Sequence, residues 1–363
     1  MKKEYLVLLL IVIVAAFFRF YRIEQAPARL NHDEMSFVYN AYSIFKTGKD
    51  EWNHTLPLIF TAFGDYKLPF NIYLTVPFVA LFGLSVLSVK IVSILCGLAM
   101  VVLMYILTYV LTKKINISLL SAAIIAISPW PIQVSRVAIN THLGLVFFTL
   151  GLILYFIARQ KKSTRYAVLA GIAWALTAYD YVAYRVIIFI LGSILFLYGI
   201  IKRNFETKLI MYAFVALIIT LLPLVGNIFN KAGTARFKTT SIFYEAGPIM
   251  RIDEKRSFCF LVDRVSLPPL CKLSFNKITS YVKIVAANSA SFLMPTFLFI
   301  KGDEQLSLNM PEYGEFFFIF LPFYLIGLFV WFTKKGFEAT VIKISWLIAP
   351  IPSSLTGLPQ TMR

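Results

Sequence analysis

The sequence predicts an all-α, polytopic membrane protein, and three observations carry that expectation. Of its 363 residues, 59% are hydrophobic and only 15% charged, whereas a water-soluble domain runs at about half apolar and about a quarter charged. Mean hydropathy is +0.77. Nine apolar stretches approach the roughly 20 residues needed to cross a bilayer. Finally, 35 Lys and Arg against 18 Asp and Glu give a net charge of +17, and the positive residues gather in short clusters between the apolar stretches, as the loops of a membrane protein do. A basic balance can signal nucleic acid, but charges placed this way belong to the membrane, so no nucleic-acid partner is expected. Three cysteines exclude a disulfide-framework miniprotein and a cysteine zinc module.

The first stretch, Tyr5 to Phe18, follows Met-Lys-Lys and has no small-residue cleavage site, so it reads as a retained anchor. Six more follow between residues 91 and 229: Ile91 to Leu111, Ile117 to Val134, Leu143 to Ala158, Ala167 to Ala178, Val186 to Ile201 and Leu209 to Phe229. Phe316 to Phe332 and Ile342 to Pro352 close the set, within residues 316–352. The shorter ones borrow aromatic and Lys/Arg flanks.

A tenth stretch, residues 68–85, is ambiguous, and charge decides its placement. If it does not span, Lys2/Lys3, Lys113/Lys114, Arg159/Lys161/Lys162/Arg165, Lys202/Arg203/Lys208 and Lys334/Lys335 put thirteen cations on one face. The short loops opposite then hold only Arg136 and Arg185. Pro69, Pro77 and Gly83 also suit an interfacial segment better than a straight span. The expected topology has the N-terminus cytoplasmic, outer loops at residues 19–88 and 230–315, and a Pro-rich end on the outside that reads as cut within a domain.

The first outer loop holds Asn31-His32-Asp33-Glu34, after which Met35, Val38, Tyr42 and Phe45 recur at helical spacing up to Gly48. An amphipathic interfacial helix over 33–47 is predicted, with Asp33 and Glu34 in its first turn, where the helix dipole favours carboxylates. Helix capping explains such a pair on its own. The adjacent His32 and a position just outside the membrane add a catalytic reading. Gly64-Asp65-Tyr66-Lys67 then precedes the interfacial segment. Lys67 fits either a snorkelling anchor or a point charge for a lipid phosphate at that depth. Arg136, Arg185 and Arg236 stand at other outer ends of spans, and Asp180 could simply pair with Arg185.

These residues resemble the polyprenyl-phosphate-sugar-dependent glycosyltransferases of the C-type superfold, which include the protein O-mannosyltransferases and the lipid A aminoarabinose transferases. The likeness rests on Asp33-Glu34, on Gly64-Asp65-Tyr66-Lys67 and on Ser135-Arg136-Val137-Ala138. It extends through Tyr179 to Arg185, Gly302-Asp303 with Pro311 to Gly314, and Ala349 to Pro352 before Leu355-Thr356. Two departures stand out: Lys67-Leu68-Pro69 replaces Lys-Pro-Pro, and Asn140 stands where relatives place an acidic residue in the second outer loop. The latter lowers the expectation of a metal site, so a divalent cation stays an open option that is not expected, and no cofactor is assigned.

What the resemblance implies is an integral plasma-membrane enzyme with an extracytoplasmic site. It would move a sugar from a polyprenyl monophosphate to an acceptor hydroxyl on lipid, glycan or protein, with inversion. Asp33 would be the base and Glu34 would orient acceptor or sugar. Lys67, helped by Arg136, Arg185 and Arg236, would bind the donor phosphate, and His32, Asp65, Tyr66, Asn140 and Asp180 would contact substrate. Cys259 and Cys271 share the second outer loop, where a disulfide would persist. Two alternatives stay open: a transporter or lipid flippase, and an oligosaccharide transferase using a diphosphate carrier.

Overall fold

The computed structural model describes residues 3–27, 30–202, 205–228, 240–244, 246–262, 272–303, 309 and 313–356. Among these the fold is almost wholly helical. The order is α1 (Lys3–Phe20), α2 (His32–Thr47), a hairpin of β1 (Phe60–Ala62) and β2 (Asp65–Lys67), α3 (Pro69–Phe82), α4 (Val86–Thr112), α5 (Ile115–Ile127) and α6 (Pro129–Ser135). Then come α7 (His142–Lys161), α8 (Thr164–Thr177), α9 (Val182–Lys202), α10 (Phe205–Ile228), α11 (Ala246–Val262), α12 (Lys277–Leu293), α13 (Leu321–Thr333), α14 (Phe337–Ile348) and α15 (Ile351–Ser354).

Four described helices are long and apolar enough to cross a bilayer unaided: α4, and the runs within α7, α9 and α10. A fifth span forms if α5 and α6, bent by 58° at Ser128, count together. The predicted stretch from Ile117 to Val134 is therefore a broken helix. Its cause is local, because Pro129 and Pro131 deny the ladder two N–H donors. The remaining predicted stretches map onto α1, α8, α13 and α14, of which α1 carries Lys3, Glu4 and Arg19 near its ends and α8 has only 14 residues. Length alone thus does not reach the expected count of nine. The two segments expected at the interface form α2 and α3, and α3 is shorter than expected because Gly83, at φ 64, caps it.

The main core joins α7, α8, α9 and α10 through Tyr155, Phe156, Trp174, Leu191, Leu217 and Leu224. α14 adds Val341 and Ile348 to it. α8 and α10 approach so closely that a Cβ at Gly171 would stand 2.0 Å from the Ala213 carbonyl oxygen. Arg159 ties three helices at one end of this core. It pairs with Glu206 of α10 and Glu338 of α14, and its guanidinium lies 3.9 Å from the Phe337 ring centroid.

A second core holds α2 and the hairpin against α3 and α4. Phe37, Ala41 and Ile44 of α2, Phe60 of β1, Ile72 and Val79 of α3, and Val89 of α4 pack together with Ala138. α2 forms where its end signals direct. Asn31 accepts from the Glu34 N–H at 2.8 Å while the Glu34 carboxylate accepts from the Asn31 N–H at 2.9 Å, a reciprocal capping box. Gly48 ends the helix in the left-handed conformation.

Candidate active site

The hairpin and the start of α2 bring the predicted residues together. β1 and β2 pair with Thr61 opposite Tyr66 and Ala62 opposite Asp65, joined by a two-residue turn at Phe63 (φ 51) and Gly64 (φ 76). Both central residues at positive φ give the mirror-image turn that matches strand twist. Gly64 adopts it freely, whereas Phe63 does so as an L-residue with a bulky side chain. His32, the first residue of α2, packs its ring 5.4 Å from that of Phe63.

Side chains on β2 alternate, so Asp65 and Lys67 share one face and Tyr66 takes the other. The Lys67 ammonium donates to Asp33 Oδ1 at 2.7 Å and to Asp65 Oδ2 at 3.0 Å. It is recessed, with only 4% of its side chain exposed, whereas Asp33 is 48% exposed. Asp33 and Lys67, distant in sequence, therefore share one site.

Glu34 has a different position from its neighbour. It is buried, and its two oxygens accept backbone N–H donors from Asn31 and, at 2.9 Å, from Ala138. Burial pushes its carboxyl above the usual range, while those two hydrogen bonds and nearby Lys90 oppose the shift. Its lone pairs thus hold its own helix and the 136–141 segment. Asn71 of α3 reinforces that joint by donating to the Ile139 carbonyl at 3.2 Å.

Of the cations expected to assist Lys67, Arg136 and Arg185 bond to backbone carbonyls. Arg136 donates to the carbonyls of Phe18, Tyr21 and Ala26 at 2.6 to 2.8 Å, and to those of Arg19 and Arg22. It thus caps the end of α1 and shapes the chain leaving it. Arg185 donates to the Ala178 carbonyl at 3.4 Å. It does not pair with Asp180, whose carboxylate accepts the Gly144 N–H at 2.6 Å. Complete burial holds the Asp180 carboxyl well above the usual range, and the Gly144 bond only partly offsets this. Asn140 Oδ1 is buried without a hydrogen-bond partner. Arg236 and Cys271 lie outside the described residues, while Cys259 is disulfide-bonded and Cys96 is free and buried.

Three buried groups had no sequence signal. Arg19, fully buried, donates to Ser135 and to the carbonyls of Ala15, Ile125, Ala126 and Pro131. Lys90 donates to the Pro27 carbonyl at 3.2 Å. Glu315, 1% exposed, has a carboxyl pushed up to about 8 by burial, with Asp303 adding to the shift. An Arg or Lys at a span end reads equally as a lipid anchor, so only docking reveals these roles. Among the described residues no group of three or more His, Cys, Asp or Glu side chains converges as a metal's ligands would.

No protein-family model matches the chain, and no curated protein sequence matches it significantly. Solved structures do match in fold. The oligosaccharyltransferase AglB of Archaeoglobus fulgidus, solved with an inhibitory peptide and a dolichol-phosphate, is similar at TM-score 0.58 and 16% identity, over 99% of this chain and 48% of its own. An oligosaccharyltransferase of the same organism, tethered by a disulfide to an acceptor peptide with an NVT sequon, gives TM-score 0.57 at 15% identity, over 98% and 48%. ArnT from Cupriavidus metallidurans in the apo state gives TM-score 0.46 at 12% identity, over 98% and 76%. The chain thus spans about half the length of the oligosaccharyltransferases it matches, and at these identities the likeness is one of fold.

Proposed function

We propose that this chain, which has the membrane fold of the C-type glycosyltransferases, carries the catalytic site of an enzyme that transfers a sugar from a polyprenyl monophosphate to an acceptor hydroxyl. The reaction would occur at the extracytoplasmic face and invert the anomeric centre. The observation that carries the reading is the Asp33–Lys67 contact of 2.7 Å, which sets a carboxylate beside a recessed ammonium.

The division of labour follows from exposure. Asp33, half exposed at the start of α2, takes the proton of the acceptor hydroxyl as its oxygen attacks the anomeric carbon. The bond from that carbon to the phosphate oxygen breaks, and its electron pair stays on the phosphate. The carrier passes from a diester with about one negative charge to a monoester with nearly two. A fixed cation gains attraction as this charge develops, so Lys67 stabilises the transition state more than the bound donor. Glu34 acts as a positioning residue that fixes the first turn of α2 against Ala138.

The arrangement of buried and half-buried charge supports a one-sided site. Arg19 ends α1, Lys90 starts α4, Arg136 follows α6, Asp180 follows α8 and Arg185 starts α9. If successive spans alternate in direction, all of these ends fall on one side, together with α2 and the hairpin. The Arg159 cluster and Lys113/Lys114 then fall on the other. A transporter would instead place ionisable groups along a path through the bilayer centre.

The test is transfer of radiolabelled sugar from a polyprenyl-phosphate donor into membrane acceptors by cells expressing the chain. Asp33→Asn should lower the rate by about 10²- to 10⁴-fold, the usual contribution of a general base. Wild-type turnover by that variant overturns the assignment of Asp33.

A further inference from the structure

The contact that supports the reading also obstructs it. An ammonium has three N–H donors, and two of those on Lys67 are held by Asp33 and Asp65. The cation lies beneath two carboxylates that repel an approaching phosphate. At the same time, Asp33 Oδ1 is turned toward Lys67 instead of toward an acceptor hydroxyl.

The two carboxylates are not held alike. Asp65 and Lys67 lie on one short strand, whose register sets Phe60 opposite Lys67, and Leu68 and Pro69 immediately begin α3. Asp65 also accepts the Tyr66 N–H at 2.8 Å, so it remains with Lys67 as a unit. Asp33 comes from a separate element and is the more exposed of the two at 48% against 37%. The capping box beside it is made by Asn31 and Glu34 and does not use its side chain. Asp33 can therefore swing away without breaking its helix, whereas Lys67 and Asp65 stay in place.

We infer that Asp33 and the carrier phosphate compete for Lys67, so that donor binding releases Asp33 to act as the base. This rests on the reading of Lys67 as the phosphate clamp. The donor's phosphate oxygen replaces Asp33 Oδ1 at the ammonium, and the freed oxygen faces the acceptor hydroxyl. After transfer, Asp33 holds the acceptor's proton and is neutral, while the new monoester holds Lys67 more strongly than the diester did. Loss of that proton to water restores the Asp33 carboxylate, which retakes Lys67 once the spent carrier has left. Binding is thereby ordered, donor before acceptor, and the resting site is protected from activating a hydroxyl when no sugar is present.

The experiment is equilibrium binding of undecaprenyl phosphate to the full chain in detergent micelles, measured for the wild type, Asp33→Asn, Lys67→Met and the double variant. Competition predicts that Asp33→Asn binds about two- to fivefold tighter, the scale of one partly exposed ion pair. Lys67→Met should bind more weakly, and the gain from Asp33→Asn should vanish in its background. Unchanged or weaker binding by Asp33→Asn overturns the competition. So does a gain that persists without Lys67, which would mark general charge repulsion instead. Equal binding by the wild type and Lys67→Met would remove the phosphate clamp itself, a separate failure. Lys67→Gln serves the same arms if the Met variant does not fold.

Discussion

At the scale of single residues, neighbours in sequence have opposite exposures and tasks. Asp33 and Glu34 are adjacent carboxylates, one half exposed beside a cation and the other buried among backbone donors. Replacing Glu34 by Gln would turn an amide NH2 toward a backbone N–H, because a carboxylate only accepts whereas an amide does both. Glu34→Gln should cost about 1–3 kcal/mol, visible as a lower melting temperature in detergent with Asp33 itself untouched. Glu315 gives a pH signature. Its carboxyl titrates near 8 in the folded chain, raised by burial and by Asp303, against about 4.3 when unfolded. Between those values the folded state binds more protons than the unfolded one, so stability falls as pH rises from about 5 to about 8. Glu315→Gln should flatten that slope and melt higher than the wild type at pH 8; parallel melting curves across this range would contradict the burial argument.

Among the elements, much of α2 is legible in the sequence, because its signals are local. Asn31, the acidic first turn and Gly48 fix both ends within a residue. The hairpin is half legible: Gly64 marks a turn, but the three-residue strands hold no pattern long enough to register. Partners far along the chain leave no such local signal. The second donor to Glu34 is 104 residues away, and Arg19 meets Ala126 across 107. Arg136 in Ser-Arg-Val-Ala is an outward cation by sequence and a carbonyl cap once α1 docks beside it. Helix contacts are testable in the same way. A Cβ at Gly171 meets the α10 backbone at 2.0 Å, while one at Gly192 meets nothing within 4 Å. Gly171→Ala should destabilise by about 1–3 kcal/mol. Gly192→Ala should be neutral or stabilising by up to about 1 kcal/mol. Detergent melting of the two variants side by side separates tight packing from a general intolerance of change.

For the whole molecule, the net charge of +17 includes two populations that stand out among the described residues. One is exposed and collects at helix ends between spans, as in Lys113, Lys114, Lys161 and Lys162. The other is buried and bonded to carbonyls or carboxylates, as in Arg19, Lys67, Lys90 and Arg136. The first population carries the orientation, so cysteines placed at Phe63 and at Lys113 should differ in intact cells. A membrane-impermeant maleimide should label Phe63→Cys and spare Lys113→Cys; the reverse pattern would invert the chain and move the site to the cytoplasm.

The break between α5 and α6 has a consequence for how the chain is made. Bent by 58°, it frees backbone carbonyls, and Arg19 supplies donors to Ile125, Ala126 and Pro131 around it. A ribosome delivers α1 more than a hundred residues before the end of α5. Until the elbow emerges, Arg19 must wait at the headgroup layer, and the elbow in turn cannot settle without it. α1 is thereby a template for α5, and its loss should strand the later helix during insertion rather than weaken the finished fold.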